Sequence, residues 1–147
     1  MAKRKSAASL PAIETMLARF VLIGLSGQND LVGTGAGRVD IRHENEIDLE
    51  TIAPDHETTY CRVVVRIRMK IFGRREKDES VAISVEGTYE GRFMVHPDVT
   101  IEALDAQAAD DKFQYGLASQ VYPLAATHLK DQLRMMGLTT RHIPVGI

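Results

Sequence analysis

Four basic side chains, Arg62, Arg66, Arg68 and Lys70, fall on one side of the extended stretch CRVVVRIRMKIF (residues 61–72). Cys61, Val63, Val65, Ile67, Met69 and Ile71 fall on the other. A basic row of this kind could grip a phosphate backbone by charge alone. Reading single-stranded nucleic acid from a sheet also needs aromatic platforms for the bases, and these are scarce here. The chain sets 18 basic residues against 20 acidic ones, for a net charge of −2. That balance counts against a protein whose main task is holding a polyphosphate. The next strand carries Glu86 and Glu90 on its polar side, where they can face the arginines across a ladder. Such pairs are worth a few tenths to about 1 kcal/mol each. The expected result is a solvated sheet face of mixed charge, with nucleic-acid binding through residues 60–72 as a lesser alternative.

Other reactive residue types do not assemble into a catalytic pattern. The five histidines, at 43, 56, 96, 128 and 142, lack metal-ligand spacing. Cys61 lies on the apolar side of its strand, which suits an inert core thiol better than a nucleophile. Glu44 and Glu46, like Asp110 and Asp111, read as solvated acids. Gly27 to Gly37, GQNDLVGTGAG, is rich in glycine but lacks the Lys-Ser/Thr pair of a P-loop and the strand-loop-helix setting of a dinucleotide site. It reads as a flexible connection. The expectation is a non-enzyme with no cofactor and no metal.

With 147 residues, 44% apolar, the chain suits one core, burying roughly two thirds of its unfolded surface. One cysteine permits no internal disulfide, and the basic start lacks the apolar run of a secretory signal. No stretch approaches the roughly twenty apolar residues of a membrane span. A cytoplasmic protein that does not insert into membranes is expected.

The elements that must position these residues follow from periodicity. Residues 1–18 read as a mobile basic tail with a short helix from Pro11, and 19–147 as a single domain. Arg19 to Ser26 reads as a first strand. Arg38 to Leu49 reads as a second, with a bulge near Asn45. Tyr60 to Phe72 is the third strand. Val81 to Val95 is the fourth, with Val81, Ile83, Val85, Tyr89 and Phe93 on one side; the charged turn between the last two makes an antiparallel hairpin. A helical turn begins near Thr100. A long amphipathic helix follows over 113–137, with Leu117, Val121, Leu124, Ala125, Leu129, Leu133 and Met136 on its apolar flank and Gly137 at its end. Pro123 interrupts it, at a cost of about 3 kcal/mol unless the helix kinks. The order is α+β: a four-stranded antiparallel sheet covered on one face by a long C-terminal helix.

Arg19 to Ser26, the Gly91-Arg92-Phe93 step, Val121-Tyr122-Pro123-Leu124, Met136-Gly137-Leu138 and Ile143-Pro144-Val145, in this order, resemble the SecB family of export chaperones, over residues 19–147. The resemblance implies an ATP-independent holdase, a dimer of dimers that holds non-native polypeptides in long apolar grooves. It points to Leu25, Leu31, Val32, Tyr89 and Phe93 for the groove, though an inward Phe or Tyr is more often sealed core. It also points to Leu117, Val121, Tyr122, Pro123, Leu124 and Leu129 for helix packing and the oligomer interface, and to Arg62, Arg66, Arg68 and Glu86 for a partner-docking sheet face. Where relatives that deliver clients to SecA carry acidic docking residues, this sequence has Gly24, Gln28 and Glu86, so only one position is acidic. The family also continues into a second helix beyond the point where this sequence ends, which implies a groove that is more open or closed by another subunit. Both departures suit a relative with a dedicated client, such as the chaperones that accompany toxin-antitoxin pairs. A non-chaperone oligomeric adaptor is the alternative.

Overall fold

The computed structural model describes residues 12–30 and 39–138. Four strands, β1 (Thr15–Asn29), β2 (Val39–Ile52), β3 (Arg62–Arg75) and β4 (Val81–Val95), are followed by two helices, α1 (Ile101–Ala108) and α2 (Asp111–Met135). The strands form one antiparallel sheet in the order β1-β4-β3-β2. The expected α+β architecture is thus the observed one, with β1 and β2 as its edges.

The sheet is two-faced because β3 and β4 alternate so strictly. Val63, Val65, Ile67, Met69 and Ile71 of β3 and Ile83, Val85, Tyr89 and Phe93 of β4 are all buried. Burying an aliphatic or aromatic side chain of this size is worth about 1.5–3 kcal/mol, several times a surface ion pair. The apolar face therefore holds the sheet to its cover, and the charged face adds little. That cover is α2, which packs chiefly on β3 and β4.

Local signals account for the helix boundaries. Thr100 caps α1, its hydroxyl accepting from the Ala103 N–H at 3.2 Å. Asp110, expected only as a solvated acid, caps α2 by accepting from the Lys112 N–H at 3.3 Å. Gly137 follows the helix with φ +91, a conformation that glycine adopts without a Cβ penalty.

Several expectations are corrected. Residues 15–18 belong to β1 and not to a helix: Thr15, Met16 and Leu17 find ladder partners in Val95, Met94 and Phe93, and pairing outweighs weak local helical spacing. Gly27, Gln28 and Asn29 are strand as well, since β1 continues beyond Ser26 opposite Val85, Ser84 and Ile83. β2 pairs with β3 in unbroken register from Val39 to Ile52, with no bulge at Asn45. The bulges lie elsewhere, between Leu17 and Arg19 and between Leu22 and Gly24 of β1. A third irregularity at Gly73/Arg74 sits opposite Val81, which is exposed. On α2 the buried face includes Ala118, Tyr122 and Ala126, whereas Leu124 is 42% exposed. The helix runs through Pro123 as one element.

Candidate functional site

The covered side of the sheet is wider than the helix that lies on it, so an apolar strip on β1 is left in the open. The two β1 bulges set which residues form the strip. Each extra residue moves the alternation by one, and the pairs Leu17–Phe93, Phe20–Gly91, Leu22–Tyr89 and Leu25–Gly87 put all four β1 side chains on the helix side. Leu17 and Phe20 are half-buried, while Leu22 and Leu25 are 42% and 43% exposed. At the far end of the strip the C-terminal end of α2 meets the strand. Asn29 Nδ2 donates to the Met136 carbonyl at 3.1 Å, and Met136 lies over Gly27 closely enough that a Cβ there would meet its methyl carbon at 2.6 Å.

Polar and aromatic contacts fix the walls. The Phe20 and Tyr89 rings stack with centroids 5.5 Å apart, and the Tyr89 hydroxyl shares a 2.7 Å hydrogen bond with His128 Nδ1 of α2. Burial pushes the Tyr89 phenol well above its ordinary pKa, so it stays protonated. On the other flank of α2, Asn45 Nδ2 donates to the Tyr122 hydroxyl at 3.2 Å. Nearby, Ile47, Leu49, Thr51, Val65, Ala108 and Gln114 line a cavity of about 260 Å3 between β2 and the helices.

These placements sort the expected residues. Leu25 is on the open strip. Tyr89 and Phe93 are enclosed core, 0% and 1% exposed, so they support the strip from beneath and offer no free surface. Leu31 and Val32 lie outside the described residues. Leu117, Val121, Tyr122 and Leu129 are buried against the chain's own sheet, Pro123 is half-buried, and Leu124 is exposed. The sequence alone does not mark Leu22 and Phe20, because a bulge has no sequence signal strong enough to reset the alternation of RFVLIGLS.

The opposite side of the sheet is the charge mosaic that the sequence suggests. Arg66 bonds Glu90 at 2.6 Å, Arg92 reaches the same carboxylate at 3.1 Å, and Arg68 bonds Glu86 at 2.5 Å. The arginine hydrogen bonds hold Glu90 below the ordinary carboxylate range, and the bonds from Glu90 and Glu86 raise Arg66 and Arg68. β2 adds Glu44, Glu46 and Asp48 opposite Lys70, Arg68 and Arg66. Gly24 and Gln28, paired with Thr88 and Ser84, add no acidic group to this face, and the remaining acid, Glu86, is already engaged. Arg62 bonds Asp55, in the loop between β2 and β3, at 2.8 Å. Asp55 also accepts from the Glu57 and Thr58 N–H groups, at 2.9 and 2.8 Å, and these bonds lead in lowering its pKa.

Cys61 is buried, its thiol bonded to the Val99 carbonyl at 3.4 Å and its pKa raised chiefly by burial. Among the described residues no group of three or more His, Cys, Asp or Glu could hold a metal ion. No helix among them is long and apolar enough to cross a membrane.

No protein-family model matches the sequence, and no curated protein matches it. The fold does have solved counterparts. The SecB-like chaperone Rv1957 of Mycobacterium tuberculosis, solved in complex with a ChAD peptide from the Rv1956 HigA1 antitoxin, superposes with a TM-score of 0.55 at 19% identity, over 88% of this chain and 87% of that one. The open four-stranded sheet under a long C-terminal helix is a SecB-like fold.

Proposed function

We propose that this protein is an ATP-independent chaperone that holds non-native polypeptide on the apolar strip beside α2. The observation that carries this reading is the exposure of Leu22 and Leu25 on the helix side of β1, where a soluble domain would otherwise bury large apolar side chains. An extended client can place alternate side chains against such a strip and pair its backbone with the free edge of β1. The SecB-like neighbour, which holds an antitoxin peptide, supports a polypeptide ligand. A cytoplasmic homo-oligomer, a dimer of dimers, completes the proposal, with further apolar contact from Leu124 and from Met16 and Ile23 of β1, all exposed in the single chain. A dedicated client is favoured over delivery to SecA, because Gly24 and Gln28 are uncharged and Glu86 is bound by Arg68.

The test is suppression of aggregation of an unrelated denatured protein without ATP. Wild-type protein should suppress it. The Leu22→Ser/Leu25→Ser variant should keep its fold and lose most of that capacity. A folded variant with full capacity would remove the strip from the mechanism, and no suppression by wild type would leave the oligomeric-adaptor reading. Light scattering gives the subunit count, which the proposal sets at four.

A further inference from the structure

At one end of the charged face, Thr58 and Tyr60 of the β2–β3 loop and side chains of all four strands line an open pocket of about 500 Å3, within the range of specific ligand sites. Four arginines line it: Arg19, Arg62, Arg66 and Arg92. They are unequal. Arg66 and Arg92 are both committed to Glu90. Arg62 gives one nitrogen to Asp55, but its Nε is sealed from solvent with no hydrogen-bond partner among the described residues. A buried donor left unmatched costs about 1–3 kcal/mol, so a ligand that draws the Arg62 side chain, 31% exposed, toward the pocket recovers that cost. Arg19 makes no ion pair among the described residues and stands directly opposite Arg92 across the ladder, an arrangement that disfavours the empty sheet.

The same lining limits what can fill the pocket. Glu50 and Glu90 also face it, leaving a surplus of two positive charges, with Asp55 set against one of them. That balance suits a single carboxylate better than a phosphate dianion. A nucleic acid is disfavoured further by Glu44, Glu46 and Asp48 along the neighbouring edge strand. Ile52, Val64 and Met94 supply an apolar part of the wall, and Val64 is 9% exposed. The guanidinium fork matches a carboxylate by two parallel bonds.

We propose that this pocket is a docking site for an acidic polypeptide segment, one Asp or Glu carboxylate held between Arg19 and Arg62 with an adjacent aliphatic side chain against Ile52, Val64 and Met94. It assigns partner docking on this face to the Arg62 and Arg66 end, away from Arg68 and Glu86. It lies across the sheet from the client strip and stands independently of the holdase reading.

The whole chain, labelled with 15N, is titrated with acetyl-Leu-Glu-Leu-amide, with its Gln counterpart and with inorganic phosphate, following the arginine Nε–H resonances. The Glu peptide should shift Arg62 and Arg19 saturably, and the Gln peptide should bind about tenfold more weakly, as loss of a charge-assisted bond implies. Arg19→Gln should weaken the Glu peptide about as much, with aggregation suppression unchanged; Arg19→Lys, which keeps charge without the fork, should fall between. Equal response to the Gln peptide, an equal response to phosphate alone, or no movement of these two resonances would each overturn the proposal.

Discussion

Gly91 of β4 lies directly beneath Val121 of α2: a Cβ added at residue 91 would stand 2.3 Å from Val121 Cγ2. This contact sets how closely the helix approaches the sheet. Gly91→Ala should therefore destabilise the fold by about 1–3 kcal/mol through overpacking. Val121→Ala in the same chain should recover part of that loss, giving a coupling energy of about 0.5–3 kcal/mol in a double-mutant cycle. Denaturant unfolding measures both, and additive effects would show that the helix does not rest on this step.

Tyr89 joins sheet to helix through its hydroxyl and to β1 through its ring. Tyr89→Phe keeps the stack on Phe20 but leaves His128 Nδ1 without its 2.7 Å partner, so it should cost about 1 kcal/mol. Tyr89→Leu loses the stack as well and should cost more, about 0.5–1.5 kcal/mol beyond the first. The urea midpoints of the two variants separate these contributions.

Glu90 and Asp55 both have folded-state pKa values below the ordinary carboxylate range, Glu90 through the Arg66 bond first and Asp55 through the backbone N–H groups of Thr58 and Glu57. A lowered folded pKa means stability that is present above the unfolded value, near pH 4, and is lost as the pH falls through the folded one. The protein should lose stability on the acid side of about pH 5. Glu90→Gln and Asp55→Asn should each flatten that loss while lowering stability at neutral pH. An acid limb as steep in both variants as in wild type would assign it to other carboxylates.

Cys61 should be silent in the native state. Its burial and raised pKa leave little thiolate and no access. Ellman's reagent should react with it only on unfolding, so the reaction rate reports global or local opening. A fast stoichiometric reaction in native buffer would place the thiol at the surface.

Legibility in the sequence tracked how strictly a segment alternates. β3 and β4 follow a period of two through every inward position from Val63 to Ile71 and from Ile83 to Phe93, so their faces, their hairpin and the arginine–glutamate pairing can be read directly. Thr100 and Gly137 mark helix ends by capping chemistry that is local. β1 was harder to read, because two bulges shift its phase and its first residues borrow helical spacing. The candidate client strip depends on that phase, so the alternation of RFVLIGLS does not mark Leu22, and Leu25 is named only through the family resemblance. Tyr89 and Phe93 read as groove through the resemblance and more often as core by residue type, and the position of α2 decides for core.

Composition and periodicity by themselves determined that this protein is an α+β domain with one apolar and one charged sheet face, since both follow from residue type at fixed spacing along one strand. Tertiary structure alone decided which apolar side chains stay uncovered and which arginines remain unmatched. The helix spans β3 and β4 but not the full sheet, and the pairing of β1 and β3 on either side of β4 brings Arg19 and Arg62 to one pocket. Those outcomes depend on contacts between segments far apart in the chain, and no local pattern encodes the width of a helix against the width of the sheet it covers.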